Sequence, residues 1–169
     1  MKLRPLELGD EAQAVQGHIE LAADNWEYLL GYENDMPWGD YLEILNSEST
    51  GQNLKVGRVP ATFFIAESDG DLVGRASIRH ELNDFLFHVG GHIGYGVRPS
   101  FRRQGFATKI LRDSLLYIQR LGVGEVLITC DEDNFGSRRV IESQGGVLEN
   151  IVEFEGALKR RYWVNQLIL

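Results

Sequence analysis

The spacing of apolar residues along the chain predicts where its helices lie. Residues 104–121 place apolar side chains at steps of three and four, which indicates an amphipathic helix that ends at Gly122. The apolar stripe of this helix comprises Ala107, Ile110, Leu111, Leu115, Ile118 and Leu121. Helix-compatible spacing over residues 9–32 predicts one or two further helices, and a short apolar helix is expected within 33–60.

Strands are indicated where β-branched and aromatic residues cluster. Residues 61–82 flank Asp69-Gly70, a dipeptide suited to a tight hairpin between two antiparallel strands. The glycine-rich stretch 87–99 predicts a third strand whose backbone is bulged or closely approached. Other strands are expected at 2–8 as an edge, at 125–130 as a strand covered on both faces, and on either side of Glu155-Gly156 over 147–169.

The predicted elements follow one another without a repeat or a linker. Their order is β, α, α, β, β, β, α, β, α, β, β, with a short helix opened by Asp133 or Asn134 before the last two strands. A chain of 169 residues that is 43% apolar can bury one substantial core. We therefore expect a single domain over residues 1–169, of the α/β (α+β) class.

Charge and composition exclude several kinds of partner. The chain has 25 acidic and 17 basic residues and a net charge of -8, which argues against a nucleic-acid partner. It has no run of about 18 apolar residues and no signal-peptide pattern at its start, so we expect no membrane partner and a cytoplasmic location. The single cysteine, Cys130, is expected to be a buried thiol. His88 and His92 are spaced as metal ligands on a helix, but the glycines between them disfavour a helix, and we expect no metal.

The densest positive cluster lies just before the strongest predicted helix. Arg102 and Arg103 precede Gly105 there, and the first N–H groups of a helix are unpaired and partly positive. This arrangement predicts an anion-binding site. Two phosphate-binding motifs are absent, because no GxxxxGK[ST] string occurs and "GYGVRP" has proline where a dinucleotide fingerprint needs its third glycine.

The segment Arg102-Arg103-Gln104-Gly105-Phe106-Ala107 resembles the signature Arg/Gln-x-x-Gly-x-Gly/Ala of the GNAT family of N-acetyltransferases. The neighbouring strands, the helix and the later stretch "DEDNFGSRRVIESQGG" fall where that family has them. The resemblance implies a central mixed, mostly antiparallel sheet of about seven strands flanked by helices. It also implies acetyl-CoA as co-substrate.

The same resemblance implies which residues bind acetyl-CoA. Its pyrophosphate would lie on backbone N–H groups of Arg103, Gln104, Gly105, Phe106, Ala107 and Thr108, in the field of Arg102 and Arg103. Tyr95 and Val97 would offer backbone groups to the pantetheine arm, as in an added strand. Asn134 matches an asparagine that holds a pantetheine amide, and Ser137 would add a hydroxyl, although Asn134 also suits a simple helix cap.

The reaction implied is direct attack by a primary amine on the thioester, without an acyl-enzyme and with a backbone amide near Val97 as oxyanion donor. Many family members carry a tyrosine as general acid where this chain has Ile141, so the acid stays open between Ser137, Tyr95 and water. The strand position where some members carry a glutamate base is Thr129 here. His92 is the predicted base, and the alternatives are His80, Glu81 and a water chain.

The acceptor is expected to be a small-molecule or peptide amine. Acidic residues around Met36-Pro37-Trp38 could receive such a cation or could be a solvated loop; they are Glu33, Asp35, Asp40 and Glu43. A non-catalytic acetyl-CoA sensor is the alternative function, since the usual tyrosine is missing and the base is uncertain. Exposed terminal strands are compatible with a homodimer.

Overall fold

The structure, a computed structural model, describes residues 1–165. Within them, seven strands and four α-helices follow the order predicted from the sequence. They are β1 (Lys2–Arg4), α1 (Glu11–Ala22), α2 (Trp38–Ser49), β2 (Ala61–Ser68), β3 (Asp71–Arg79), β4 (Ile93–Val97), α3 (Phe106–Arg120), β5 (Glu125–Asp131), α4 (Phe135–Ser143), β6 (Val147–Phe154) and β7 (Ala157–Asn165). The end of the predicted closing strand pair, residues 166–169, lies outside the described residues.

The strands form two antiparallel sheets, which confirms the fold class and corrects the expected single mixed sheet. One sheet has the order β1-β2-β3-β4 and the other has the order β5-β7-β6. Every strand pair recorded among residues 1–165 is antiparallel. A single mixed sheet would have needed a parallel pair between β4 and β5, but these two strands belong to different sheets.

The two sheets meet at the residues just before β4. The His92 N–H donates to the Leu127 carbonyl at 2.7 Å, and the Leu127 N–H donates to His92 Nδ1 at 2.9 Å. Gly91 has a φ of +65°, and a Cβ there would lie 2.8 Å from the Leu127 carbonyl oxygen. From this junction β4 and β5 separate, and the space between them is called the cleft below.

The third predicted strand is shorter than expected because its first half is helical. Leu86–Gly90 form a single π-helical turn, stabilised by Asn83, whose Oδ1 accepts the Leu86 N–H at 2.9 Å. His88 lies exposed on this turn and His92 follows it. In residues 1–165 no group of three or more His, Cys, Asp or Glu side chains is arranged to hold a metal ion.

Two apolar clusters cover the two faces of β2 and β3. One packs these strands against α3 and the second sheet through residues such as Ile78, Ile110 and Val126. The other packs them beneath α1 and α2 through Tyr28 and Tyr41. In residues 1–165, no helix combines the length and the apolar character that a membrane span requires.

Candidate active site

The open edge of β4 presents backbone groups to the cleft. The Arg79 N–H donates to the His92 carbonyl at 2.8 Å, and the Arg98 N–H donates to the Val73 carbonyl at 2.9 Å. In an antiparallel ladder every second residue exchanges hydrogen bonds with its partner strand. Tyr95 and Val97 therefore direct their backbone groups away from β3 and toward the cleft. This orientation is the one that pairing with a pantetheine arm needs, and that role stays a prediction.

The N-terminus of α3 opens onto the same end of the cleft. Gly105 is the N-cap residue, with a φ of +79° and no capping side chain. A Cβ at Gly105 would meet no heavy atom within 4 Å, so glycine is favoured by its left-handed backbone and leaves the approach open. The first N–H groups of the helix, from Phe106 to Thr108, have no capping side chain, which makes the helix end suited to an anion.

One cavity of about 750 Å³ connects this helix end to β4. Its lining includes all but two of the residues predicted from the sequence: Tyr95, Val97, Arg102, Arg103, Gly105, Phe106, Ala107, Thr108, Asn134 and Ser137. The two exceptions are Gln104 and His92. The Gln104 side chain points back along the chain and donates from Nε2 to the Ser100 carbonyl at 3.2 Å.

The arginines of this cavity differ in their partners. Arg102 donates from Nε to the Val97 carbonyl and forms an ion pair with Asp24 at 2.5 Å, so its charge is already compensated. Arg103 and Arg139 line the cavity and form no ion pair among the described residues. Arg139 follows Arg138 on α4, carries no motif signal and was not predicted from the sequence. These two side chains are the better candidates for phosphate contacts.

Asn134 and Ser137 lie at the start of α4. Asn134 Oδ1 accepts the Ser137 N–H at 3.0 Å, so Asn134 is a helix cap. The side chain also lines the cavity, and its Nδ2 donates to no described residue. Asn134 can therefore cap the helix through Oδ1 and still donate from Nδ2 to a ligand.

A second cavity of about 320 Å³ continues from the first. The two cavities share the residues Trp26, Tyr95, Asp131, Asn134 and Ser137, which define the junction. The Tyr95 hydroxyl is buried there near Ser137 and has no hydrogen-bond partner among the described residues. Burial raises the pKa of this hydroxyl, which keeps its proton in place. A buried donor without a partner is costly, and it suits a ligand atom.

Trp26 forms a wall common to both cavities. A Cβ on Gly96 would lie 2.4 Å from the Trp26 ring, so the indole packs directly on the backbone of β4. The other face of the cleft carries Thr129 and Cys130. Thr129 Oγ1 donates to the Val89 carbonyl at 2.7 Å, and burial raises the pKa of Cys130 to about 11. The thiol is thus buried and protonated, which matches the prediction for Cys130.

The histidines lie away from the cavities. His92 is 5% exposed, lines neither cavity and accepts the Leu127 N–H through Nδ1. Burial, reinforced by Arg79, lowers the pKa of His92 to about 4. His92 was predicted as the base because it was expected near the substrate amine. The structure places the imidazole outside both cavities, where it accepts the Leu127 N–H instead. His80 lies 2.8 Å from the Thr62 hydroxyl and also lines neither cavity.

The acidic residues near Trp38 are also outside both cavities. All four are exposed, which agrees with a solvated segment; they are Glu33, Asp35, Asp40 and Glu43. The smaller cavity instead has the carboxylates of Glu27 and Asp131 in its lining. Neither was predicted from the sequence: Glu27 belongs to no motif, and Asp131 was noted only as the first residue of the stretch "DEDNFGSRRVIESQGG".

The chain belongs to the GNAT family of acetyltransferases, because the family model described as Acetyltransferase (GNAT) domain matches residues 1–147. This family uses acetyl-CoA as co-substrate. No curated protein sequence matches the chain.

Solved structures share the fold at low sequence identity. RimJ of Mycobacterium smegmatis, in complex with CoA-disulfide, is 22% identical with a TM-score of 0.70, over 99% of this chain and 82% of that one. The yncA protein of Salmonella typhimurium, with its cofactor acetyl-CoA, is 15% identical with a TM-score of 0.65, over 98% and 93%. A chimera of the spermidine N-acetyltransferase SpeG from Vibrio cholerae and hSSAT is 22% identical with a TM-score of 0.66, over 99% and 98%. At these identities the likeness shows the fold alone.

Proposed function

We propose that this protein transfers an acetyl group from acetyl-CoA to a primary amine by direct attack, without an acyl-enzyme. The observation that carries the proposal is the continuity of two cavities at Tyr95, Asn134 and Ser137. The larger cavity joins an uncapped helix N-terminus to the open edge of a strand, and the smaller one offers a separate chamber for an acceptor. Similarity to a spermidine N-acetyltransferase is consistent with an amine acceptor.

The larger cavity has groups that fit the phosphates and the pantetheine arm of acetyl-CoA. The N–H groups of Phe106, Ala107 and Thr108 suit the diphosphate, and the guanidinium groups of Arg103 and Arg139 suit further phosphate charge. The backbone of Tyr95 and Val97 suits the amides of an extended arm, and one of its N–H groups is the candidate oxyanion donor. When bound, acetyl-CoA supplies an acetyl group activated as a thioester.

Direct attack is favoured because the cleft has no activated nucleophile among the described residues. Cys130 is the one cysteine of the chain, and burial keeps its thiol protonated. No histidine lines either cavity in residues 1–165, so Ser137 has no imidazole base beside it. Glu27 forms no ion pair in the described structure, and its carboxylate can attract and orient an ammonium group in the smaller cavity.

Tyr95 is the proposed proton donor to the leaving thiolate. Tyr95 lines both cavities, and its buried hydroxyl beside Ser137 keeps its proton and has no hydrogen-bond partner in the described structure. We expect Tyr95→Phe to lower kcat about a hundredfold, at the lower end of the range typical of a lost proton donor. The free energy of unfolding should stay unchanged or rise, because the change removes a buried polar atom without a partner.

Tyr162→Phe is the matched control for that variant. The buried Tyr162 hydroxyl donates to Glu142 Oε1 at 3.0 Å and lies outside both cavities. Its loss should leave kcat unchanged and lower stability by about 1 kcal/mol. Steady-state kinetics and urea unfolding separate the two effects, and an unchanged kcat in Tyr95→Phe contradicts the assignment.

An acceptor screen tests the proposed function itself. The protein is mixed with acetyl-CoA and a panel of primary amines, and free CoA thiol is measured. Thiol release that depends on the amine is the expected result. Tight CoA binding without turnover over a broad panel would instead support the non-catalytic sensor, which needs only the larger cavity.

A further inference from the structure

The smaller cavity contains two arginine side chains that approach the same glycine. Arg75 and Arg79 are four residues apart on β3 and both line this cavity. A Cβ on Gly94 would lie 3.0 Å from Arg79 Nη1 and 3.7 Å from Arg75 Nη1. A Cβ at position 94 would therefore force the Arg79 guanidinium to shift and would touch that of Arg75, and glycine keeps space for both beside the backbone of β4.

Arg75 is held rigidly, and its contacts are all with uncharged groups. Its Nε donates to the Tyr28 carbonyl at 3.1 Å, Nη1 to the Gly94 carbonyl at 3.1 Å, and Nη2 to the Glu27 carbonyl at 2.7 Å. The guanidinium carbon lies 3.9 Å from the centre of the Trp26 ring. Carbonyl groups and an indole orient the cation but do not neutralise it.

Arg79 has still fewer partners. Its side chain forms no ion pair and no hydrogen bond with any residue in 1–165, and it is partly buried against Gly94. Burial lowers the pKa of Arg79 to about 10, and burial together with the charge of Arg79 lowers the pKa of Arg75 to about 9. Both side chains stay protonated at neutral pH and repel each other.

The carboxylates of the cavity do not compensate this charge by direct contact. Glu27 Oε1 accepts the Gly31 N–H at 2.7 Å, and Asp131 forms an ion pair with Lys159. Neither forms an ion pair with Arg75 or Arg79 in the described structure. A buried charge without a counter-charge is costly, so an anionic group from a ligand would stabilise this pair.

We propose that the acceptor is an amine that also carries a carboxylate, such as an α-amino acid, and that Arg79 binds this carboxylate at the wall formed with Arg75. The inference rests on the proposed acetyl transfer and deepens it by assigning the substrate class. Glu27 also lines the cavity and forms no ion pair in the described structure, so its carboxylate suits the ammonium end. A polycation such as spermidine would meet the two arginines unfavourably.

The test compares α-amino acids with their own carboxamides, with spermidine as a polycationic probe. At saturating acetyl-CoA we expect kcat/KM to be at least about tenfold higher for the amino acids than for the carboxamides. Arg79→Gln should remove this preference by raising KM for the amino acids, while CoA binding measured by calorimetry stays at the parent value. Arg79→Lys should retain part of the preference, since it keeps the charge but not the planar fork.

Arg58→Gln is the matched control. Arg58 lies close enough to act on the charge of Arg79, but its side chain is outside the cavity and pairs with Glu48 at 3.3 Å. This variant should keep the parent preference. Calorimetry without CoA gives a second readout, in which the parent binds the amino acids at least about tenfold more tightly than Arg79→Gln does.

The outcomes separate this inference from the proposed function. Equal rates for amino acids and carboxamides, a preference for spermidine, or an undiminished preference in Arg79→Gln would overturn the inference while acetyl transfer stands. If no amine is acetylated, the proposed function fails, and the calorimetric comparison of the parent protein with Arg79→Gln then decides on the arginine site alone.

Discussion

A Gly105→Glu variant is expected to bind CoA on the order of a hundredfold more weakly than the parent protein. Gly105 caps α3 with a left-handed backbone, and its Cβ direction is open to the cavity that contains the helix N–H groups. A glutamate there would place negative charge where the diphosphate is proposed to lie and could itself accept those N–H groups. Calorimetric titration with CoA measures the loss.

Gly105→Gln is the control for backbone strain and side-chain size. Both substitutions force a non-glycine residue to a φ of +79°, which costs on the order of 1 kcal/mol of stability in each case. Glutamine is nearly isosteric with glutamate but uncharged, so it should weaken CoA binding much less. Equal affinities in the parent and Gly105→Glu would reject the proposed phosphate site, provided that circular dichroism shows both proteins folded.

His92→Ala is expected to destabilise the protein by about 1–3 kcal/mol, because it leaves the buried Leu127 N–H without an acceptor at the point where the two sheets meet. His92→Asn should recover much of this loss, since its Oδ1 can take the place of Nδ1. Urea unfolding of the three proteins at pH 7 measures the differences. A large fall in kcat with unchanged stability in both variants would restore His92 as a catalytic base.

The pH dependence of stability gives an independent check on His92. The imidazole is neutral in the folded protein, where its pKa is about 4, and it titrates near 6.5 when unfolded. The contribution of neutral His92 to the free energy of unfolding is fully present above pH 6.5. It is lost as the pH falls toward 4, because His92 of the unfolded chain is protonated before His92 of the folded protein. This loss is about 3 kcal/mol in total. Stability should fall less steeply in His92→Asn than in the parent over that range, whereas parallel curves would contradict the buried neutral imidazole.

The sequence predicted most of the fold because its signals are local. The stripe from Ile110 to Ile118 is buried as its spacing implies, and Asp69-Gly70 forms the turn of the first hairpin. The divergence of β4 from β5 could not be read from either strand. The two strands separate beyond the point where His92 contacts Leu127, and these two residues are far apart in the chain.

The parts of the candidate site that use backbone groups could be predicted from the sequence. The parts that bring together side chains from different helices and strands could not. The glycine turn before α3 follows from a local motif, and resemblance to the family pointed to the backbone of Tyr95 and Val97. Arg75 and Arg79 gave no signal, because alternate charged residues on a strand ordinarily indicate a solvent-exposed face. Their convergence on Gly94 depends on the pairing of β3 with β4, which only the structure shows.

Trp26 contacts both the proposed acetyl-CoA site and the proposed acceptor site. Its indole touches the strand edge at Gly96 on one side and the guanidinium of Arg75 on the other. A thioester arm that shifts this ring would also shift the cation facing the acceptor. Thermodynamic reciprocity then requires the acceptor to alter the affinity for the donor by the same factor, so a substitution at Trp26 is expected to change the affinities for both.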